Sequence, residues 1–91
     1  MSEQRIVVLR AIENYNQYRS PEAVAKLVET GEGYVVIDFT GSFCFTCGVY
    51  DWFEDFIYEL RQIEERYRVE ISSVVKNDYD SFRVRYVVKS G

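Results

Sequence analysis

Between residues 49 and 67 apolar side chains recur three and four positions apart: Val49, Trp52, Phe53, Phe56, Ile57, Leu60, Ile63 and Tyr67. Asp51, Glu54, Asp55, Glu59, Arg61, Glu64 and Glu65 occupy the other side. That spacing gives an amphipathic α-helix with one apolar stripe and one solvated, charged face. We read the helix as beginning near Cys44–Cys47 and running to about Arg66. A helix of this kind needs an apolar layer to pack on, so the rest of the chain must supply one.

Tyr34–Val35–Val36–Ile37–Asp38–Phe39 and Ile6–Val7–Val8–Leu9 are continuous apolar runs rich in β-branched residues, which suits buried strands. Residues 13–19 are polar and read as a loop. Ser20–Pro21–Glu22 then supplies a capping hydroxyl, a proline at the first helical position and an acid in the first turn. Ala23, Val24, Leu27 and Val28 follow at helical spacing, and Gly31 is placed to end that helix. The C-terminal segment predicts a β-hairpin with Asn77–Asp78–Tyr79–Asp80 as its loop. Val75 would then face Phe82, Ser73 Val84, Ile71 Tyr86 and Val69 Val88. This register gathers the apolar residues on one face and leaves Glu70, Ser72, Arg83, Arg85 and Lys89 on the other. The expected fold class is α/β, in the order β-α-β-α-β-β, with two helices on a mixed four-stranded sheet whose first two strands are parallel and central.

Ninety-one residues make a single α/β domain, 1–91, with an aromatic-rich but small core. An exposed sheet edge or apolar patch is expected to be covered by self-association as a homodimer. The net charge of −4 argues against general nucleic-acid binding, because displacing counterions needs a cationic surface. Arg83, Arg85 and Lys89 read as the solvated side of the hairpin. Tyr15, Tyr18 and Tyr79 fall in expected loops. No apolar leader is visible and no run is long enough to span a bilayer, so we expect a cytoplasmic protein without membrane contact. High charge, few Asn and Gln and no His suit a thermophile.

One constellation carries chemistry: Cys44-Phe45-Thr46-Cys47 at the expected start of the long helix. The helix end stabilises a thiolate, and a second thiol one turn on is placed to resolve a mixed disulfide. Asp51, Glu54 and Asp55 nearby offset part of that effect by like-charge repulsion. The stretch Val35–Val36–Ile37–Asp38–Phe39 followed by Phe43–Cys44–Phe45–Thr46–Cys47 resembles the active-site segment of the thioredoxin family, as does the preceding β-α unit. Thr46 stands at that family's proline, and Pro21, the chain's single proline, lies in another segment.

The resemblance implies a truncated thioredoxin-like fold and thiol–disulfide oxidoreductase activity on protein or small-molecule disulfides, with no cofactor. Cys44 would be the attacking thiol and Cys47 the resolving one. Asp38 would be the buried acid that takes the resolving thiol's proton. The alternative is a small non-enzymatic interaction or regulatory module whose cysteines are structural or form a cross-dimer zinc site. Zinc needs four ligands, and two cysteines without His supply only two per chain.

Overall fold

The computed structural model describes residues 3–42 and 48–90. In chain order these form α1 (Glu3–Arg19), β1 (Val24–Gly31), β2 (Tyr34–Thr40), α2 (Val49–Ile63), β3 (Tyr67–Asp78) and β4 (Ser81–Ser90). The architecture is a small α/β domain with two helices and a four-stranded sheet. The order is α-β-β-α-β-β, so the first two expected elements are exchanged.

The expected strand at Ile6–Leu9 lies inside α1, and the polar stretch 13–19 continues the same helix. Val7, Val8, Ala11 and Tyr15 are buried along one side, three and four residues apart. Ile6 and Leu9 stay 48% and 41% exposed, so the run is not buried on both faces. Ser20–Pro21 does not start a helix. The Ser20 N–H donates to Asn16 O and the Ala23 N–H to Arg19 O, both at 3.0 Å, which closes the end of α1. The expected helix over 20–31 is instead strand β1, with Ala25 buried and Lys26 exposed in alternation. Gly31 caps no helix. Glu32–Gly33 forms the turn into β2, and Gly33 takes φ 81°, a left-handed value that glycine adopts without a Cβ clash.

The strand order is β1-β2-β4-β3 and every pair is antiparallel. The expected parallel centre is therefore corrected: a two-residue connection can only join antiparallel neighbours. In the terminal hairpin Val69 pairs with Val88 and Ile71 with Tyr86, as the apolar pattern predicts. Between Ile71 and Ser73 a bulge shifts the register, so Val74 pairs with Val84 and Val75 with Arg83. Val74 thereby packs against the core, while Val75 is 56% exposed on the opposite face.

Both helices pack on one face of the sheet. Val35, Ile37 and Phe39 of β2 and Val84, Tyr86 and Val88 of β4 meet Val8, Ala11 and Tyr15 of α1 and Phe53, Phe56 and Leu60 of α2. Phe39 sits at the centre, its ring centroid 5.4 Å from Tyr15, 5.2 Å from Phe53 and 6.0 Å from Phe56. Tyr15, far from being in a loop, is fully buried, and its hydroxyl donates to Trp52 O at 2.9 Å. The Tyr86 hydroxyl donates to the next carbonyl, Phe53 O, at 2.8 Å. Two phenols from different elements thus hold the first turns of α2. Arg19 ties the helices together through Glu59 at 2.9 Å and Asp55 at 3.5 Å, with its guanidinium 4.6 Å from the Tyr15 ring centre.

Candidate functional site

Cys44 and Cys47 lie outside the described residues. Their flanks are described. The Gly41 N–H donates to Asp80 O at 3.2 Å, and a Cβ at Gly41 would collide with the Glu22 carbonyl, so the chain leaves β2 close against the α1–β1 turn. Gly48, the residue after Cys47, is the N-cap of α2 at φ 77° and makes no side-chain cap. Asp51 Oδ2 stands 3.1 Å from the point a Gly48 Cβ would occupy. A carboxylate therefore already lies at the helix end, where the backbone dipole favours negative charge.

Asp38 is turned the other way. Its neighbour Phe39 packs beneath α2, and alternation along β2 sends Asp38 to the opposite face of the sheet. There its carboxylate accepts from Arg83 Nε at 2.8 Å and from the second Arg83 nitrogen at 3.0 Å, a bidentate pair. The hydrogen bonds to Asp38 raise the Arg83 pKa above its ordinary value.

Among the described residues no helix covers this second face. Its cross-strand rows are Val24–Thr40–Ser81–Asp78, Lys26–Asp38–Arg83–Val75, Glu29–Val36–Arg85–Ser73 and Gly31–Tyr34–Val87–Glu70, with Arg68–Lys89 beyond. Arg85 stacks on Tyr34 at 4.4 Å from the ring centre. The Tyr34 hydroxyl donates to Glu29 Oε2 at 2.7 Å, and this hydrogen bond raises the Tyr34 pKa. The hairpin's share of this face, Glu70, Arg83, Arg85 and Lys89, was legible from sequence. Tyr34, Val36 and Asp38 were not assigned to it, because the run 34–39 read as buried on both sides, and Lys26 was not, because 20–31 read as a helix. The alternation Val35, Ile37, Phe39 against Val36 and Asp38 is the signal that places them.

A cleft of about 600 Å³ lies elsewhere and is lined by Glu3, Gln4, Glu32, Gly33, Arg66, Tyr67, Val88 and Lys89. Within it Arg66 is held by Glu64 at 2.9 Å and lies 4.0 Å from Glu3. Among the described residues no cluster of three metal-ligating side chains occurs, and no helix is long and apolar enough to cross a membrane.

Fold and surface together define a small α/β domain with its helices on one side of an antiparallel sheet and a bare, charged face on the other. No family model matches the sequence, and no curated protein matches it. A solved structure of the H-NOX family, from work probing the function of heme distortion, matches at TM-score 0.51 and 12% identity. The match covers 91% of this chain and 45% of that one, so the chain spans about half the length of that protein. At this identity the likeness is one of fold. It overturns the thioredoxin-like assignment: 12% identity to an H-NOX domain and an all-antiparallel sheet replace the expected parallel β-α-β unit. The motif at 35–47 is a likeness of local sequence alone, and its described part, 35–42, follows an antiparallel strand.

Proposed function

We propose that this chain is a non-enzymatic protein-interaction module, and that Cys44 and Cys47 serve the β2–α2 connection instead of turnover. The bare sheet face carries the reading: among the described residues no helix covers it. Asp38, the expected proton acceptor, lies on that face in a bidentate pair with Arg83. The heme of the structural neighbour is not carried over. The chain has no His, and the cleft of about 600 Å³ among the described residues is lined chiefly by charged and polar groups, unlike the apolar pocket a heme needs.

Mass-resolved thiol titration of the folded protein, with metal analysis of the same sample, tests this. Slow labelling of both cysteines, without bound zinc, is the expected result. Fast alkylation of Cys44 together with a reversible dithiol–disulfide midpoint between about −120 and −270 mV establishes an oxidoreductase instead. One zinc per two chains establishes the cross-dimer site.

A further inference from the structure

We infer that the outer edge of β3 pairs with the same edge of a second copy, joining two sheets into one antiparallel sheet about a two-fold axis. This surface is separate from the bare face and stands whether or not that face has a partner. The two edges of the sheet are unlike. On β1 the Asn16 amide clamps Ala25, donating to its O at 3.0 Å and accepting from its N–H at 2.7 Å, and Gln4 Nε2 donates to Gly31 O at 2.7 Å. Helix α1 thus closes that edge. The other edge is β3, twelve residues long. The Val88 N–H donates to Gly33 O at 2.9 Å, so Val88 turns its backbone towards β2 and away from its β3 partner, Val69. By the alternation of an antiparallel ladder, Val69 and Ile71 then point their N–H and C=O groups outward, and past the bulge so do Val74 and Lys76. Among the described residues these outward groups meet no hydrogen-bond partner. An open edge of this length is a template for another strand. Lys76 does not blunt it, because its ammonium folds back to Tyr79 O at 3.0 Å and lies 4.7 Å from the Phe82 ring centre.

The bulge selects the partner. Between the outward residues Ile71 and Val74 the edge carries both Ser72 and Ser73, where a regular strand has a single residue. A regular strand laid along this edge loses register at that point. A second copy keeps it, because its own Ser72 and Ser73 lie opposite when the two-fold axis passes between them. Ile71 then meets Val74 of the second copy and Val69 meets Lys76 of the second copy, each pair exchanging N–H···O bonds through the outward groups. The faces agree as well. Ile71 and Val74 are half-buried on the helix-packed side, and each gains an apolar neighbour across the axis. The second bulge, between Lys76 and Asp78, falls at the end of the paired stretch and sets Asp78 opposite Arg68 of the second copy. Both lie on the bare face, neither has an ion-pair partner among the described residues, and the axis makes the contact twice. The charges of Arg68, Glu70, Lys76 and Asp78 cancel, so the edge does not repel its copy.

Sedimentation equilibrium of the full chain should show a reversible monomer–dimer equilibrium, with chelator and reductant present so that Cys44 and Cys47 cannot bridge copies. Amide hydrogen exchange followed by ¹⁵N NMR should slow at Ile71 and Val74 as concentration rises, while β1 stays unchanged. Lys76→Pro removes an outward N–H and no bond between β3 and β4, and should weaken association about tenfold. Lys76→Ala keeps that N–H and should weaken it far less. Arg68→Asp should weaken association about threefold, and adding Asp78→Arg should restore it. Circular dichroism checks that each variant is folded, and where one is not, exchange on the parent chain decides. A monomer up to millimolar concentration overturns the edge dimer. So does a dimer whose Ile71 and Val74 amides exchange as fast as in the monomer, a folded Lys76→Pro chain that associates like the parent, or a folded charge swap that restores nothing.

Discussion

Replacing Arg19 by methionine should cost far more than neutralising its partner. Arg19 and Glu59 are 17% and 10% exposed at their side chains and meet at 2.9 Å between α1 and α2. Arg19→Met leaves the Glu59 carboxylate in a largely dry contact without its cation, at about 3 kcal/mol. Glu59→Gln leaves Arg19 with Asp55 at 3.5 Å and the Tyr15 ring at 4.6 Å, so its cost is about 1 kcal/mol. Combining Arg19→Met with Glu59→Leu removes both charges and should recover about 2 kcal/mol of the Arg19→Met loss. Against a total of roughly 5–13 kcal/mol for a chain this long, the single Arg19 change lowers Tm by about 12–24 °C. Urea unfolding followed by Trp52 fluorescence and far-ultraviolet circular dichroism gives all three values. The pair is an ordinary surface contact if Arg19→Met costs under about 1 kcal/mol, or if adding Glu59→Leu recovers none of the Arg19→Met loss.

Three further outcomes follow from the same contacts. Val74→Asp should destabilise strongly and Val75→Asp hardly at all, because the bulge turns Val74 inward and Val75 outward; equal urea midpoints would contradict the bulged register. Asp38→Asn should barely change the urea midpoint, since Arg83 is 48% exposed and solvent screens the pair, and should leave alkylation rates of Cys44 and Cys47 unchanged. A slowed Cys47 reaction would return Asp38 to the thiol chemistry. Burial pushes the Tyr15 and Tyr86 phenols above their ordinary value, so the unfolded chain loses these protons first. Their stabilisation is complete below about pH 10 and falls as pH rises beyond it. Tyr15→Phe should therefore lose less between neutral and alkaline urea titrations than the parent, and an equal loss refutes the assignment.

Helix α2 was legible in the sequence because its period of three and four persists from Val49 to Leu60 and the buried residues Phe53, Phe56 and Leu60 follow it. The hairpin was legible up to Ile71 for the same kind of reason, a period of two with one apolar face. The exchange of α1 and β1 was not. A four-residue apolar run such as Ile6–Leu9 satisfies either period, and Ser-Pro-Glu serves a turn as well as a helix start. What decided between them was long-range: Tyr15 reaching Trp52 O, Asn16 clamping Ala25, and Gln4 binding the β1–β2 turn. The Ile71–Ser73 bulge belongs to the same class, since Val74 and Val75 are identical in side chain and only pairing with β4 selects which one is buried. Sequence alone determined the apolar stripe of α2 and the one-sided hairpin as far as Ile71, because those are properties of a segment and its own period, whereas the total of two helices and four strands agrees only because the two misread elements exchange. Chain order, antiparallel pairing and the cations gathered on the bare face were decided by tertiary contacts, because each depends on which distant segment a strand or helix meets.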